Sequence, residues 1–356
     1  MSGRQTVGKR ELPVYPPVFP AEPDEGRVVM GHGAGGRKMH RLIRRVFLEH
    51  FGNEALERLE DGAIVELKAG RVCVTTDSHV VQPLFFPGGD IGRLAVCGTV
   101  NDLAVMGAEP RLLTFAVVMR EGLSLETLDR VCASAARAAR EAGVIIVAGD
   151  TKVIEAGADE GLYINTSGVG VVPAGLRLGI EMVRPGDVIL ISGGVGEHEA
   201  AVGLARGSFR FKARVRSDCA PVNRLVKSAL RAGGVKVMRD PTRGGLATTL
   251  NEFAEASGLG FVIDGSQVPV AKAVRGVAAL LGLDPLYMAN EGKVVMVVAP
   301  ERADRVLGQL RRNRLGRRAS RIGMVQKSPK GVWLRTDLGS LRPLIMLEAE
   351  QLPRIC

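Results

Sequence analysis

The sequence predicts an α/β (α+β) protein of two domains. The chain has 356 residues, which exceeds the usual size of one domain. Short apolar runs of strand length alternate with longer segments of helical periodicity in both halves. A turn at Arg184-Pro185-Gly186-Asp187 separates the halves, which are similar in size. We therefore expect domains at 28–178 and 179–345, with a leader before them and a tail after them.

Residues 1–27 precede the first core pattern and are predicted to form an extended or disordered leader. Their several prolines remove backbone donors and interrupt regular elements. The first residues lack the pattern of a signal peptide, and no apolar run reaches the length of a membrane span. The five cysteines form no C-x-x-C pair, so neither a zinc site nor a disulfide framework is predicted. Free thiols fit a reducing cytoplasm, and the lack of a membrane span predicts no membrane partner.

The net charge of +10 is concentrated in one arginine-rich stretch between residues 302 and 321. A basic patch for nucleic acid is one interpretation. The same stretch carries Val306, Leu307, Leu310 and Leu315 at helical spacing, and the chain is only 4% aromatic. The pattern favours an amphipathic helix with a solvated basic face, so we expect no nucleic-acid partner.

The first domain opens with a glycine-rich turn that includes Gly35 and Gly36 and runs into a helical pattern. Backbone N–H groups at such a turn can bind phosphate, although this signal is weak when taken singly. A strand from Val72 is expected to end at Asp77. A helix follows over 91–105 and carries Asn101 and Asp102 in an apolar context, where each needs a hydrogen-bond partner. That partner is either a ligand or another part of the fold.

The rest of the first domain is predicted as strand, helix, strand and strand over 112–118, 125–142, 144–148 and 162–172. The short third strand is fully apolar and leads directly into Gly149-Asp150-Thr151-Lys152. We expect Asp150 at the exit of this strand, with Lys152 two residues further on. The last strand holds Asn165.

The second domain shows the same mixture of elements. Strands are expected over 188–192, 294–298, 322–325 and 332–334, and helices over 224–231 and 245–257. Asp240 and Thr242 precede a glycine pair and a helix N-terminus. Glu291 and Lys293 lie immediately before the strand at 294–298.

Four acids lie in short polar interruptions of apolar sequence: Asp77, Asp102, Asp150 and Asp240. Carboxylates gather where a cation neutralises them, and hard oxygen ligands select Mg²⁺, which normally travels with substrate phosphates. The residues therefore predict Mg²⁺–nucleotide chemistry, with Lys152 and the glycine-rich turn binding phosphate. His32, His79 and His198 are either part of this site or structural.

The ordered set of motifs closely resembles the carbamoyl dehydratase HypE family of NiFe-hydrogenase maturation factors. The set includes 32–36, 75–78, 83–89, 98–102, 149–152, 239–245, 290–293 and the terminal Pro353-Arg354-Ile355-Cys356. This family belongs to the superfamily of aminoimidazole ribonucleotide synthetase and selenophosphate synthetase. The resemblance covers the chain from about Met30 to Cys356. The terminal tetrapeptide distinguishes the family from its relatives.

The resemblance implies a PurM-like fold, in which the N-terminal domain pairs with a second subunit to close a barrel across a homodimer. It implies that residues 346–356 form a mobile tail. ATP and Mg²⁺ are expected between the domains. The implied nucleotide-binding residues are Gly35, Gly36, Asp77, Asn101, Asp102, Asp150, Thr151, Asn165, Asp240 and Thr242, and Asp77, Asp102, Asp150 and Asp240 are the implied metal ligands.

The resemblance also implies the reaction. A carbamoyltransferase, HypF, places a carbamoyl group on Cys356. ATP-dependent dehydration converts this group to a thiocyanate, and the cyanide passes to iron on the HypC–HypD scaffold complex. Lys152 and Glu291 are the expected catalytic residues beside Cys356, with Glu291 as the candidate base.

Two other functions compete with this one. A selenophosphate synthetase would need a reactive cysteine near the glycine-rich turn, and none lies between Met1 and Cys73. A purine-pathway synthetase has no need of a terminal cysteine. The chain departs from the family pattern at Glu197 and Glu199, which flank His198, and this leaves the detail of that loop open.

Overall fold

A computed structural model describes residues 26–29, 32, 41–53, 57, 70–157, 161–207 and 214–346. Most of the predicted leader, the pair Gly35 and Gly36, and the tail that ends in Cys356 lie outside the described residues. Within the described part, two β-sheets with flanking helices divide the chain into an N-terminal and a C-terminal half.

The N-terminal half alternates strands and helices along the chain. Its strands are β1 (Arg71–His79), β2 (Phe85–Phe86), β3 (Gly89–Asp90), β4 (Glu109–Arg120), β5 (Ile145–Ile154) and β6 (Leu162–Val172). Its helices are α1 (Glu49–Phe51), which continues a π-helical segment at Ile43–Leu48, α2 (Ile91–Val105) and α3 (Leu125–Ala142). Helix α2 begins where Asp90 accepts hydrogen bonds from the N–H groups of Gly92 and Arg93 at 2.9 and 3.0 Å.

Four strands of this half form a sheet in the order β1-β6-β4-β5, and only β4 and β5 run parallel. Helices α2 and α3 cover one face, and alternate residues of β4 and β6 are buried beneath them. We call the opposite face the open face. It carries Val72 and Val74, which are 53% and 67% exposed, together with Ile145, which is 48% exposed. These exposed apolar side chains form a surface suited to a partner.

The C-terminal half contains a larger sheet with helices on both faces. Its strands are β7 (Val188–Ile191), β8 (Val235–Arg239), β9 (Gly260–Asp264), β10 (Val295–Val298), β11 (Ser320–Gln326), β12 (Gly331–Arg335) and β13 (Leu341–Pro343). Its α-helices are α4 (Glu197–Ala205), α5 (Asn223–Ala232), α6 (Gly245–Ser257), α7 (Lys272–Leu281) and α8 (Ala303–Arg312), with single 3₁₀ turns at Ile180–Met182, Gly265–Gln267, Pro300–Arg302 and Arg314–Gly316.

The seven strands have the order β13-β12-β9-β11-β7-β10-β8, and β9 and β12 are the parallel pair. Strand β7 shows why its sequence is continuously apolar: Ile189 and Ile191 pack towards α6, whereas Val188 and Leu190 pack towards α5 and α8. The second of these cores also contains Ala104 and Val105 from the end of α2. The hydrophobic cores of the two halves are therefore joined through α2.

Most predicted elements match the structure, and the two-domain α/β fold is confirmed. The predicted positions of two acids within their strands are wrong. Asp77 lies inside β1, which continues to His79, and Asp150 lies inside β5, which continues to Ile154. The long neighbour β4 pairs with β5 as far as Arg120, so backbone hydrogen bonding extends the strand through the polar residues.

The arginine-rich stretch forms α8 and the turn after it. Ala303, Val306 and Leu310 are buried, and the arginines of the helix are exposed, as the amphipathic pattern predicts. No helix in the ranges that the structure describes is both long and apolar enough to cross a membrane.

Candidate active site

Four carboxyl groups approach one another where β1, α2 and two loops of the C-terminal half meet. They belong to Asp77, Asp102, Asp240 and Glu291, and we call them the acid cluster. The N–H of Ser78 donates to Asp77 Oδ1 at 2.9 Å, and the Thr75 hydroxyl donates to Asp102 Oδ2 at 3.0 Å. Asp240 and Glu291 are 9% and 6% exposed. The cluster thus joins both halves of the chain.

The pKa values of three members of the cluster, Asp102, Asp240 and Glu291, are raised. Burial raises the pKa of Asp240 to about 7, and the charges of Asp102 and Asp77 add to this shift. Burial also raises the pKa of Asp102, with a contribution from Asp77. The pKa of Glu291 lies well above its usual range, first because of burial and then because of Asp240, Asp218 and Asp77. The acids are close enough to repel one another, which is the arrangement that a bound cation relieves.

The oxygen donors of the cluster suit Mg²⁺ in chemical type. Among the described residues, however, no group of three such side chains is arranged closely enough to hold a metal ion. The described residues of a single chain therefore do not bring Asp77, Asp102, Asp150 and Asp240 together as one metal site.

We expect Asp240→Asn to stabilise the metal-free protein at alkaline pH. The pKa of Asp240 is about 7 in the folded state, against roughly 3.9 for an unfolded aspartate. Below the pKa of the unfolded state, Asp240 is protonated in both states, and the neutral side chain contributes its full stability to the fold. As the pH rises through the pKa of the folded state, the buried side chain ionises, and this contribution to the free energy of unfolding is lost. Because asparagine does not ionise, the variant should gain roughly 2–4 kcal/mol in free energy of unfolding at about pH 8 and almost nothing near pH 4.

Urea unfolding in the presence of a chelator measures this difference at both pH values. Asp337→Asn is the matched control, because Asp337 is exposed. A variant less stable than the wild type at alkaline pH would contradict the assignment. Added magnesium should stabilise the wild type and leave Asp240→Asn almost unchanged.

His79 lies beside the acid cluster. Its Nε2 is 3.5 Å from Asp77 Oδ2. Burial lowers the pKa of His79, and the nearby Asp77 only partly opposes this. A Cβ at Gly98 of α2 would lie 2.9 Å from His79 Cε1, so glycine is required for the helix to approach this pair. The other two candidate histidines are structural: His32 Nδ1 accepts from the N–H of Val29, and His198 is fully buried against Phe86.

Asp150 and Lys152 lie on the open face, away from the acid cluster. In the sheet, Asp150 pairs with Ala116, Ala116 with Asn165, and Asn165 with Ser78. Directly paired residues share a face, and successive residues alternate. Asp77 therefore points to the helix-covered face, and Asp150 points to the opposite one. Asp77 and Asp150 of one chain therefore do not meet across this sheet.

The remaining predicted ligands are distributed between these two places. Thr151 is buried on the helix-covered side of β5. Asn165 lies on the open face and donates to the carbonyl of Asp77 and the hydroxyl of Ser78, both at 3.0 Å. Thr242 is half-buried, and its N–H donates to the carbonyl of Asp240 at 3.0 Å.

Asn101 joins the two halves of the chain. Its amide group donates to the carbonyls of Ala220 and Glu291, both at 3.2 Å, and its Oδ1 accepts from the N–H of Val222 at 2.8 Å. The side chain is 1% exposed. Its hydrogen-bonding groups are thus already used by the protein, and we revise its expected role from nucleotide ligand to interdomain contact.

Asp218 is the residue that sequence reasoning missed. Its carboxylate accepts from the N–H groups of Glu291 and Gly292 at 3.2 and 3.0 Å and from Lys293 Nζ at 3.0 Å. A Cβ at Gly292 would lie 2.0 Å from the carbonyl oxygen of Asp218, so this position requires glycine. Asp218 therefore fixes the backbone that carries Glu291. The one signal for Asp218 in the sequence is indirect: Lys293 lies next to a buried strand and requires an acidic partner.

Comparison with known proteins places this geometry in a family. Residues 59–172 match the model of the AIR synthase related protein N-terminal domain, and residues 184–334 match that of the C-terminal domain. The chain is 50% identical over 334 residues to carbamoyl dehydratase HypE of Cupriavidus necator, covering 93% of this chain and 95% of that protein. The chain belongs to the carbamoyl dehydratase HypE family.

Solved HypE structures share the fold. A crystal structure of HypE in complex with ATP superposes with a TM-score of 0.88 at 47% identity, and it covers 92% of this chain and 99% of that one. HypE in a crystal structure of the HypE–HypF complex superposes with a TM-score of 0.76 at 45% identity, over 86% and 99% of the two chains. The predicted family and its PurM-like fold are thereby confirmed.

Proposed function

We propose that this protein is an ATP-dependent carbamoyl dehydratase that acts on an S-carbamoyl group carried by its own Cys356. One carboxamide and one ATP give one thiocyanate, ADP and phosphate. This reaction supplies the cyanide ligands of the iron centre in NiFe hydrogenases. The observation that carries the proposal is the buried Glu291 within the acid cluster, in a chain that is 50% identical to a carbamoyl dehydratase over nearly its whole length.

ATP is the proposed co-substrate, because a HypE relative has been crystallised in complex with it. When bound, ATP supplies the phosphoryl group that makes the carboxamide oxygen a leaving group, and Mg²⁺ neutralises the phosphate charge. Asp77, Asp102 and Asp240 would contribute oxygen ligands to a metal ion whose remaining ligands would come from the ATP phosphates. After burial, the charges of Asp102 and Asp77 raise the pKa of Asp240, and a cation would relieve this repulsion. Gly35 and Gly36 would contribute from the segment that the structure does not describe.

Glu291 is the proposed base that removes the amide protons. Burial and the surrounding carboxylates raise its pKa, which makes the ionised form a stronger base. Asp218 holds the backbone at Glu291, and Lys293 pairs with Asp218 rather than with the base. The Glu291 carboxylate is therefore held in a fixed position. Its charge is not neutralised by Lys293, because that lysine pairs with Asp218.

Lys152 and Asp150 are proposed to act across a homodimer. Both lie on the open face, together with the exposed Val72, Val74 and Ile145. Pairing two such faces buries this apolar surface and closes the sheets into a barrel without free edges. Each subunit would then direct its Asp150 and Lys152 towards the other subunit. The separation of these residues from Glu291 within one chain is the reason for this assignment.

Two partners follow from the proposed reaction. HypF would load Cys356, and a HypE–HypF complex is known for a relative. The HypC–HypD complex would receive the cyanide. We place all of these steps in the cytoplasm, and no step involves nucleic acid.

Intact mass spectrometry tests the proposed function. Incubation with a HypF-type transferase and its carbamoyl donor should add the mass of one carbamoyl group per chain. Addition of ATP and magnesium should then remove the mass of one water molecule. Hydrolysis of ATP without any change in the mass of the chain would contradict the proposal and would instead indicate a diffusible substrate.

A further inference from the structure

A cleft lies between the two halves of the chain, apart from the acid cluster. Its volume is about 590 Å³. None of Asp77, Asp102, Asp240 and Glu291 lines it. The segment from Ser217 to Ala220 forms one wall, and Asp218 connects this wall to the Glu291 loop. The cleft is a separate place in which a ligand can bind.

The cleft is strongly basic. Six cationic side chains line it: Arg93, Arg216, Lys293, Arg314, Arg317 and Arg318. Two carboxylates line it with them, and both are already paired. Lys293 Nζ lies 3.0 Å from Asp218 Oδ2 and 3.1 Å from Glu197 Oε2. Arg318 Nη1 lies 3.3 Å from Glu197 Oε1.

The remaining arginines exceed the carboxylates available to them. Arg93 and Arg314 share Glu141, at 2.9 and 3.5 Å. Arg216 and Arg317 form no ion pair with any carboxylate in the part of the chain that the structure describes. Like charges gathered without counter-charges destabilise the protein unless an anion binds between them.

Two glycines keep the charged groups of the cleft accessible. A Cβ at Gly193 would lie 3.0 Å from Lys293 Cε. A Cβ at Gly194 would lie 3.0 Å from Glu197 Oε1 and 3.2 Å from Arg318 Nη1. A side chain at either position would fill the space beside these ions.

We propose that this cleft binds a small phosphate-bearing anion. Guanidinium groups pair with phosphate oxygens through two parallel hydrogen bonds, and the charge excess of the cleft exceeds what a single carboxylate would neutralise. No aromatic ring is present among the described residues that line the cleft, so a nucleobase has nothing to stack on. The ligand class is inorganic phosphate or a compact phosphate monoester.

The test compares two charge-matched double variants. Arg216→Ala/Arg317→Ala removes the two unpaired cations of the cleft without leaving a carboxylate unpaired. Arg305→Ala/Arg312→Ala removes two exposed arginines of α8 that do not line the cleft. Isothermal titration at constant ionic strength would measure the binding of inorganic phosphate, pyrophosphate and ribose 5-phosphate to each protein.

We expect about tenfold or greater weakening in the cleft variant, because two charge-assisted contacts are lost, and less than about twofold change in the control. Asp240→Asn should bind these anions as the wild type does. Equal binding of inorganic phosphate and the monoester identifies the free anion as the ligand, whereas tighter binding of the monoester identifies a phosphorylated metabolite.

Three results would overturn the proposal. They are no binding to the wild type, equal losses in the two double variants, or a loss in Asp240→Asn that the cleft variant does not show. Circular dichroism melting establishes whether each variant is folded. If the double variant is not folded, the single substitutions Arg216→Ala and Arg317→Ala replace it in the binding measurements. Each single variant should then show a smaller loss in the same direction.

Discussion

Replacing Cys356 by alanine should abolish the reaction completely while leaving the fold and ATP binding intact. The proposed function makes this sulfur the atom to which the carbamoyl group is attached, and no other group substitutes for it. The described body of the chain ends at Met346, so loss of a terminal thiol removes none of the core contacts described above. Intact mass spectrometry after carbamoylation measures the effect.

The other cysteines provide the control for this experiment. Cys97, Cys132 and Cys219 are buried. Burial raises the pKa of the Cys132 thiol, and the neighbouring Cys97 together with burial raises that of Cys219, so thiolates are disfavoured at both. Cys73 is partly exposed, so Cys73→Ala is the matched variant and should retain full activity. Modification of any cysteine other than Cys356 would falsify the assignment.

Replacing Glu291 by glutamine should slow dehydration by about 10²–10⁴-fold, the usual contribution of a general base. Glutamine preserves the shape and the backbone contacts to Asp218 and Asn101. The variant should therefore still accept the carbamoyl group from the transferase and accumulate the carbamoylated chain. Quenched-flow mass spectrometry separates the two steps. Dehydration at the wild-type rate would show that another group removes the protons.

Mixing two inactive variants tests whether Lys152 acts on the site of the partner subunit. Lys152→Ala and Glu291→Gln should each be inactive as homodimers. After subunit exchange, one site of each mixed dimer would contain an intact Glu291 and an intact Lys152, so about a quarter of the wild-type activity should return. If both residues act within one chain, no activity returns. A control mixture of each variant with itself corrects for residual turnover.

The sequence was most informative where one physical signal dominates. Helix α3 follows its periodicity from Leu125 to Ala142 and ends at Gly143, whose φ of 77° suits glycine. Helix α6 and strand β6 were equally well predicted. The apolar run at 188–192 was predicted as a strand, and β7 lies there with a hydrophobic core on either side of it.

The arrangement of the site was harder to predict, because it depends on pairing between distant strands. The register of β5 against β4 decides that Asp150 points to the open face, and a shift by one residue would have reversed this. Sequence spacing contains no information on that register. Asp218 was missed for a similar reason, since its role arises from contacts with residues more than seventy positions away.

The attachment point of the C-terminus has a further consequence. Leu344 is 1% exposed and its N–H donates to the carbonyl of Val332, while the Tyr287 hydroxyl donates to the carbonyl of Ile345 at 2.7 Å. Ten residues follow Met346, and at about 3.3 Å per residue they keep Cys356 within roughly 33 Å of this anchor. A group confined to such a volume is present at an effective concentration on the order of millimolar. The rate per molecule should then be independent of protein concentration, and a free carbamoylated peptide supplied at micromolar concentration should compete poorly with the tethered thiol.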